Sequence, residues 1–114
     1  MRHARHALED RDFEWSCFAS HQAAEKALKA VFQKLGMEAW GHTLTALIGN
    51  LPSSLPVSES LVNYARMLDK HYIPMRYPNG FESGAPMDFY TEEEAQNAIR
   101  YAEAILEFCR DQIS

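Results

Sequence analysis

The sequence predicts an all-α protein, folded as an up-and-down antiparallel four-helix bundle with one extra short helix. Its longer segments carry apolar residues at steps of three and four, which is the spacing of an amphipathic helix. Residues typical of helix N-caps precede these segments, and glycine or proline follows several of them. A chain of 114 residues has the size of one domain, which we expect to span residues 1–114.

The first two helices are predicted from residues 2–10 and 12–35, with a short break at Arg11-Asp12. The second is the longest segment without glycine or proline, so we expect it to organise the bundle. Asp12 is its predicted N-cap and Gly36 its stop. Its apolar stripe consists of Phe13, Cys17, His21, Ala24, Leu28, Val31 and Leu35. Beside it runs a smooth strip that a neighbouring backbone can approach closely, formed by Ala23, Ala27 and Ala30.

A short helix is predicted from Thr43 to Asn50. In the loop before it, Trp40 is expected to pack over a helix end, and His42 is expected to cap the short helix or to pack at its start. Residues 51–56 are rich in proline and serine and predict a further loop.

The third long helix is predicted to begin at the N-cap Ser58 and to end at Pro74, because a proline ring clashes with a continuing helix. Its core line consists of Leu61, Ala65, Leu68, Tyr72 and Met75. Residues 74–90 lack a helical period and predict a long loop, which in compact domains is usually functional or disordered. Thr91 and Glu94 form a capping box that opens the last helix. The buried stripe of that helix is Ala95, Ala98, Ala102, Ile105 and Cys109.

The composition limits the partners. A formal net charge of −5 argues against binding DNA or RNA in bulk through electrostatic attraction. No apolar run approaches the roughly 18 residues of a membrane span, and no signal-peptide pattern follows Met1, so we expect a cytoplasmic protein. Cys17 and Cys109 form neither a disulfide framework nor a zinc motif, and their helix positions predict buried thiols. We expect neither a metal nor a cofactor.

The organising helix also carries a polar row, which is its unusual feature. Gln22, Glu25 and Lys29 lie at helical spacing between Phe18 and Phe32. Two interpretations stay open. The row is either a solvated face with a Glu25–Lys29 ion pair, or a partly buried polar site bracketed by the two aromatic rings. Lysines of this helix, Lys26 and Lys29, are candidates for contact with a phosphate.

Arg76 is the leading candidate in the long loop. It lies among aromatic residues, Tyr72 and Tyr77, where a guanidinium can bind a phosphate through two hydrogen bonds or stack on a base. Alternatively, Arg76 forms an ion pair with Glu25 or Asp69 that fixes the loop to the bundle. The two roles are compatible. The chain has neither a Walker A loop nor a G-x-G-x-x-G motif, so any nucleotide site must be built from side chains.

Four features occur in a characteristic order: CFASHQAAEKALKA, then Trp40-Gly41-His42, then LDKHYIPMRYPNG, then a Thr-capped last helix. This set resembles the HEPN family, the higher eukaryotes and prokaryotes nucleotide-binding domains. The resemblance implies a helical bundle, usually a homodimer, with a role related to nucleotides or RNA. Many members are encoded beside a small nucleotidyltransferase as toxin–antitoxin pairs.

The resemblance therefore predicts a module that binds a nucleotide such as ATP or GTP, or a nucleotidyltransferase partner, without catalysis of its own. The predicted ligand contacts are Arg76, Tyr72, Tyr77, Lys29 and Lys26, with Glu25, Gln22 and Asp69 in support.

Two alternatives remain. HEPN ribonucleases resemble one another in an arginine followed, after four to six residues, by a histidine, and Arg66 with His71 matches formally. On a regular helix these two residues lie about 140° apart, and Met67 stands where the family usually has a polar residue, so we predict no ribonuclease activity. The other alternative is a purely structural dimerisation bundle whose polar row is sealed by ion pairs.

Overall fold

The computed structural model describes residues 1–72 and 90–113. Every regular element within these ranges is a helix, which confirms the predicted all-α class. The helices are α1 (Arg2–Glu9), α2 (Phe13–Lys34), α3 (Leu44–Gly49), α4 (Glu59–Asp69) and α5 (Glu92–Ile113). Four longer helices and one short helix were expected, and this is the observed element order.

The centre of the bundle is the pair α2 and α5, which make the most extensive contact between any two helices. Both helices start at the same end, where Arg11 lies 3.6 Å from Glu92. α1 and α4 pack on both helices of this pair, and the short helix α3 packs against α2 and α4. Their shared core includes the fully buried residues Leu28, Phe32, Leu44, Leu68 and Ile105. Burying each such side chain contributes about 1.5–3 kcal/mol, so this core is the main stabilising feature of the fold.

The predicted helix starts are confirmed by their capping hydrogen bonds. The side chains of Asp12, Thr43 and Ser58 accept from backbone N–H groups of their own first turns, at 3.2, 3.3 and 3.1 Å. Thr91 and Glu94 bond each other's backbone reciprocally, at 3.2 and 3.1 Å, as a capping box requires. These contacts satisfy N–H groups that have no partner inside the helix.

The predicted end of the third long helix is wrong. α4 ends at Asp69 rather than continuing to Pro74, and the backbone from Lys70 to Tyr72 is held by tighter bonds to carbonyls three residues earlier. A proline disfavours the helical conformation of the residue that precedes it, so a helix tends to end before that residue. Tyr72 is therefore not a core position of α4, whereas Met75 lies outside the described residues.

The predictions for Trp40 and Leu35 also fail. Trp40 is 68% exposed and Leu35 is 41% exposed, so neither packs into the bundle. Leu35 follows the last turn of α2, where the chain leaves the core. Of the two roles expected of His42, capping α3 belongs to the Thr43 side chain, and the His42 ring instead bonds Glu25 at 3.0 Å from its place before α3. The two cysteines are buried free thiols as predicted, and burial raises the pKa of each to about 12.

Candidate functional site

A buried histidine joins α2 to the end of α4. His21 lies on the predicted apolar stripe of α2, and its side chain is only 1% exposed. Its Nε2 is 3.0 Å from Oδ1 of Asp69, the last residue of α4. A buried polar ring needs such a partner, because an unpaired one costs about 1–3 kcal/mol.

Asp69 also holds the first turn of α3. Its Oδ1 accepts from the Leu44 N–H at 2.7 Å, and its Oδ2 accepts from the Thr45 N–H at 3.0 Å and the Thr45 hydroxyl at 2.8 Å. Burial alone would raise the pKa of Asp69, but the hydrogen bonds from His21, Leu44 and Thr45 outweigh it, and the pKa lies below its usual value. One carboxylate thus links α2, α3 and α4.

These contacts determine which nitrogen of His21 carries a proton. An ionised Asp69 only accepts hydrogen bonds, so His21 Nε2 must be the donor. The other ring nitrogen, Nδ1, faces Oε1 of Glu25 at 3.9 Å. This distance is beyond a hydrogen bond.

Glu25 is the centre of a partly exposed polar cluster. Its Oε2 lies 2.9 Å from Lys29 Nζ and 3.0 Å from His42 Nδ1. Burial would raise the pKa of Glu25, but the bonds from Lys29 and His42 prevail and lower it. The Glu25 side chain is 16% exposed, whereas Lys29 and His42 are 37% and 65% exposed. The cation and the imidazole therefore face solvent from a fixed carboxylate.

Tyr72 completes this arrangement, which we call the Glu25 cluster: Glu25, Lys29, His42 and Tyr72. The centroid of the Tyr72 ring lies 5.5 Å from that of His21 and 6.5 Å from that of His42. The planes of the Tyr72 and His42 rings differ by 10°, so these two rings are nearly parallel. Aromatic faces beside a cation offer the chemistry to which a base and a phosphate bind.

The structure brings together some of the predicted site residues and separates others. Glu25, Lys29, Asp69 and Tyr72 all belong to the Glu25 cluster or contact it through His21. Gln22 and Lys26 are exposed and line a different surface, a groove where α1 and α2 meet the end of α5. Arg76 and Tyr77, and with them the predicted ion pair of Arg76, lie outside the described residues.

The polar row is thus divided: Gln22 is exposed on the other surface, whereas Glu25 is partly buried and forms the ion pair with Lys29 that the solvated-face interpretation included. Sequence reasoning missed His21 and His42 as members. The one available signal for His21 was a titratable residue on an otherwise apolar stripe. For His42 the signal was its place beside Trp40-Gly41 in the family-like pattern.

The residues of the ribonuclease alternative occupy different surroundings. Arg66 is exposed and donates to Asn63 Oδ1 at 2.9 Å on its own helix. His71 lines a cavity of about 340 Å³ with Lys70, Tyr90, Glu94 and Tyr101, and Arg66 is not among the lining residues. Burial lowers the pKa of His71 below its usual value.

Residues 1–72 and 90–113 offer neither a metal site nor a membrane span. Within them, no group of three His, Cys, Asp or Glu side chains can hold a metal ion. None of the helices described there is long and apolar enough to cross a membrane.

Comparison with known proteins decides the family. The family model described as the HEPN domain matches residues 1–112. The chain belongs to the HEPN family. TT1696 of Thermus thermophilus is 43% identical, with a TM-score of 0.89 over 97% of this chain and 87% of that one. A HEPN domain protein of Thermotoga maritima is 40% identical, with a TM-score of 0.76 over 96% and 87% of the two chains.

An archaeal HEPN homologue, ST0689, is 39% identical, with a TM-score of 0.79 over 97% and 86% of the two chains. A protein of Methanocaldococcus jannaschii named "Putative toxin MJ1304" is 27% identical over 95% of this chain and 77% of its own length. The all-helical HEPN fold expected from the sequence is thereby confirmed.

Proposed function

We propose that this HEPN domain binds a nucleotide at the Glu25 cluster and acts in a toxin–antitoxin-like system with a nucleotidyltransferase partner. The observation that carries the proposal is the fixed, solvent-facing pair of Lys29 and His42 on the Glu25 carboxylate. Lys29 suits a phosphate, and the rings of His42 and Tyr72 suit a base. Similarity to the protein named as a toxin supports the toxin–antitoxin setting.

The chemistry of the cluster favours binding over catalysis. The Glu25 carboxylate contacts both Lys29 and His42, so the positive charge of Lys29 is partly balanced before a ligand binds. Because Glu25 already holds Lys29 in place, a nucleotide can bind the Lys29 ammonium group without the entropic cost of ordering that side chain. Arg76 and Tyr77 follow Tyr72 in the chain and remain candidate contacts for the same ligand.

Calorimetric titration with ATP, GTP and a short RNA tests this function. We expect wild type to bind ATP or GTP and Lys29→Ala to bind about 10- to 150-fold more weakly, since a hydrogen bond to a charged group contributes about 1.5–3 kcal/mol. Arg76→Ala is expected to weaken binding too. The matched control is Lys34→Ala, an exposed lysine in the last turn of α2.

Circular dichroism confirms that each variant folds. Equal affinity of wild type and folded Lys29→Ala, or no heat with any ligand, would contradict the nucleotide site. The RNA arm also decides the enzymatic alternative. We expect RNA to stay intact at high protein concentration, whereas decay that disappears in His71→Ala would establish a ribonuclease.

We also propose that the protein is a homodimer and that a second copy covers the groove where α1, α2 and α5 meet. α1 has 8 residues and α2 has 22, so α1 leaves part of α2 uncovered. The groove has a volume of about 300 Å³, and apolar side chains, including Trp15, Ala19 and Ala23, form most of its lining. A twofold axis places the same patch of each chain against its copy, so a second copy of this groove can cover its apolar side chains.

A further inference from the structure

His21 meets its two carboxylates at different distances. Nε2 is 3.0 Å from Asp69 Oδ1, but Nδ1 is 3.9 Å from Glu25 Oε1. The longer distance suits two acceptors, because with the proton on Nε2 neither Nδ1 nor the Glu25 carboxylate has a hydrogen to donate. A proton on Nδ1 converts this contact into a charge-assisted hydrogen bond of about 2.7–2.9 Å.

Glu25 has an oxygen available for this bond. Both of its partners at the surface, Lys29 and His42, contact Oε2, so Oε1 can approach His21 without breaking either contact. The approach moves the carboxylate on which Lys29 and His42 are held. Such a movement would link the geometry of the exposed groups to a proton on a buried ring.

A proton on His21 would change the net charge of the groups around it. The titratable and polar groups that face it are Glu25 on its own helix, Asp69, His71 and Tyr72 from the end of α4, and, through Asp69, the first peptide groups of α3. With His21 neutral, Glu25, Asp69 and Lys29 leave one net negative charge. A proton on His21 cancels it, which makes the cluster more favourable for an anion.

We propose that His21 is a positioning residue that couples proton binding to nucleotide binding: a proton on Nδ1 draws Glu25 inward and strengthens phosphate binding at Lys29 and His42. The inference rests on the proposed nucleotide site. Because coupling between two ligands is reciprocal, nucleotide binding takes up a proton at His21.

Calorimetric titration with ATP in two buffers of different ionisation enthalpy measures the number of protons that the protein takes up on binding. His21→Gln retains an N–H donor for Asp69 but cannot take a proton, and His6→Gln, an exposed histidine of α1, is the matched control. Protons exchanged by ATP itself are common to all three proteins. We expect wild type and His6→Gln to take up a further fraction of a proton that His21→Gln does not. Their ATP affinity should also rise more steeply on acidification, by at most about tenfold per pH unit.

Without any ligand, a pH titration followed by nitrogen NMR of the His21 ring and carbon NMR of the Glu25 carboxyl reports the protonation of each group. We expect Nε2 to stay protonated throughout, and Nδ1 to gain its proton at the pH where the Glu25 signal moves. A ring that stays neutral until acid unfolding, or a Glu25 signal that moves independently, would overturn the inference. If ATP gives no heat, the proposed function is wrong and the ligand coupling is wrong with it, whereas the NMR titration still decides the proton link.

Discussion

Asp69 is the residue on which most of the candidate site depends. It accepts from His21, from two backbone N–H groups of α3 and from the Thr45 hydroxyl, so four donors lose their partner when it is removed. Breaking a buried charged network costs more than its net stabilising effect, because the remaining groups stay desolvated.

We predict that Asp69→Ala lowers the free energy of unfolding by about 3–5 kcal/mol at pH 7, measured by urea denaturation. The pKa of Asp69 is lowered from 3.8 in the folded state, so its stabilisation is present above that value and is lost as the pH falls through the folded value. The difference between wild type and variant should therefore shrink below about pH 4.

Asp111→Ala is the control for this variant, because Asp111 is exposed near the end of α5. It should change the free energy of unfolding by no more than about 0.5 kcal/mol. A difference between wild type and Asp69→Ala that stays constant from pH 7 to pH 3 would show that the ionised carboxylate is not the stabilising group.

Single-residue features were only partly predictable from the sequence. The Glu25–Lys29 pair follows from helical spacing alone, and it is present. The contact of His21 with Asp69 joins residues 48 positions apart, and the contact of His42 with Glu25 joins residues 17 positions apart. No local period encodes either pair, because both depend on how the helices pack.

At the scale of helices, the sequence predicts where the helices begin but not where α4 ends. Asp12, Ser58 and Thr91 cap their own first turns, so the signal and the structure are both local. The end of α4 was placed too late because its period continues to Tyr72 and Met75 in the sequence. The chain instead leaves the helix after Asp69, and Tyr72 turns toward His21 and His42.

The groove between helices gives a prediction about assembly. Trp15 is 47% exposed at the groove, and its ring packs 5.2 Å from Phe18. We predict that Trp15→Glu converts a dimer into a monomer, because a charge on an apolar interface must be desolvated. Light scattering coupled to size-exclusion chromatography measures the mass.

Trp40→Glu is the matched control, since Trp40 is even more exposed at 68% but does not line the groove. It should remain dimeric. A wild-type protein that is a monomer at all concentrations would contradict the dimer, and a dimer that survives Trp15→Glu would place its interface elsewhere.

For the whole molecule, the sequence specifies the bundle well and the chemistry less well. Within the described residues, the order of the helices and the core stripe of α5 follow from periodicity, and the likeness to TT1696 agrees with the fold. The Glu25 cluster is different, since it draws on α2, on the loop before α3 and on the residues after α4. Its members are brought together only when the whole bundle forms.

The central claim is that this cluster is the nucleotide site, and NMR mapping of ATP binding tests it most directly. We predict that ATP shifts the side-chain signals of Lys29, His42 and Tyr72 first, while the residues of the 340 Å³ cavity beside Tyr101 move little. Shifts confined to that cavity or to the Trp15 groove, or no shifts at millimolar ATP, would contradict the account.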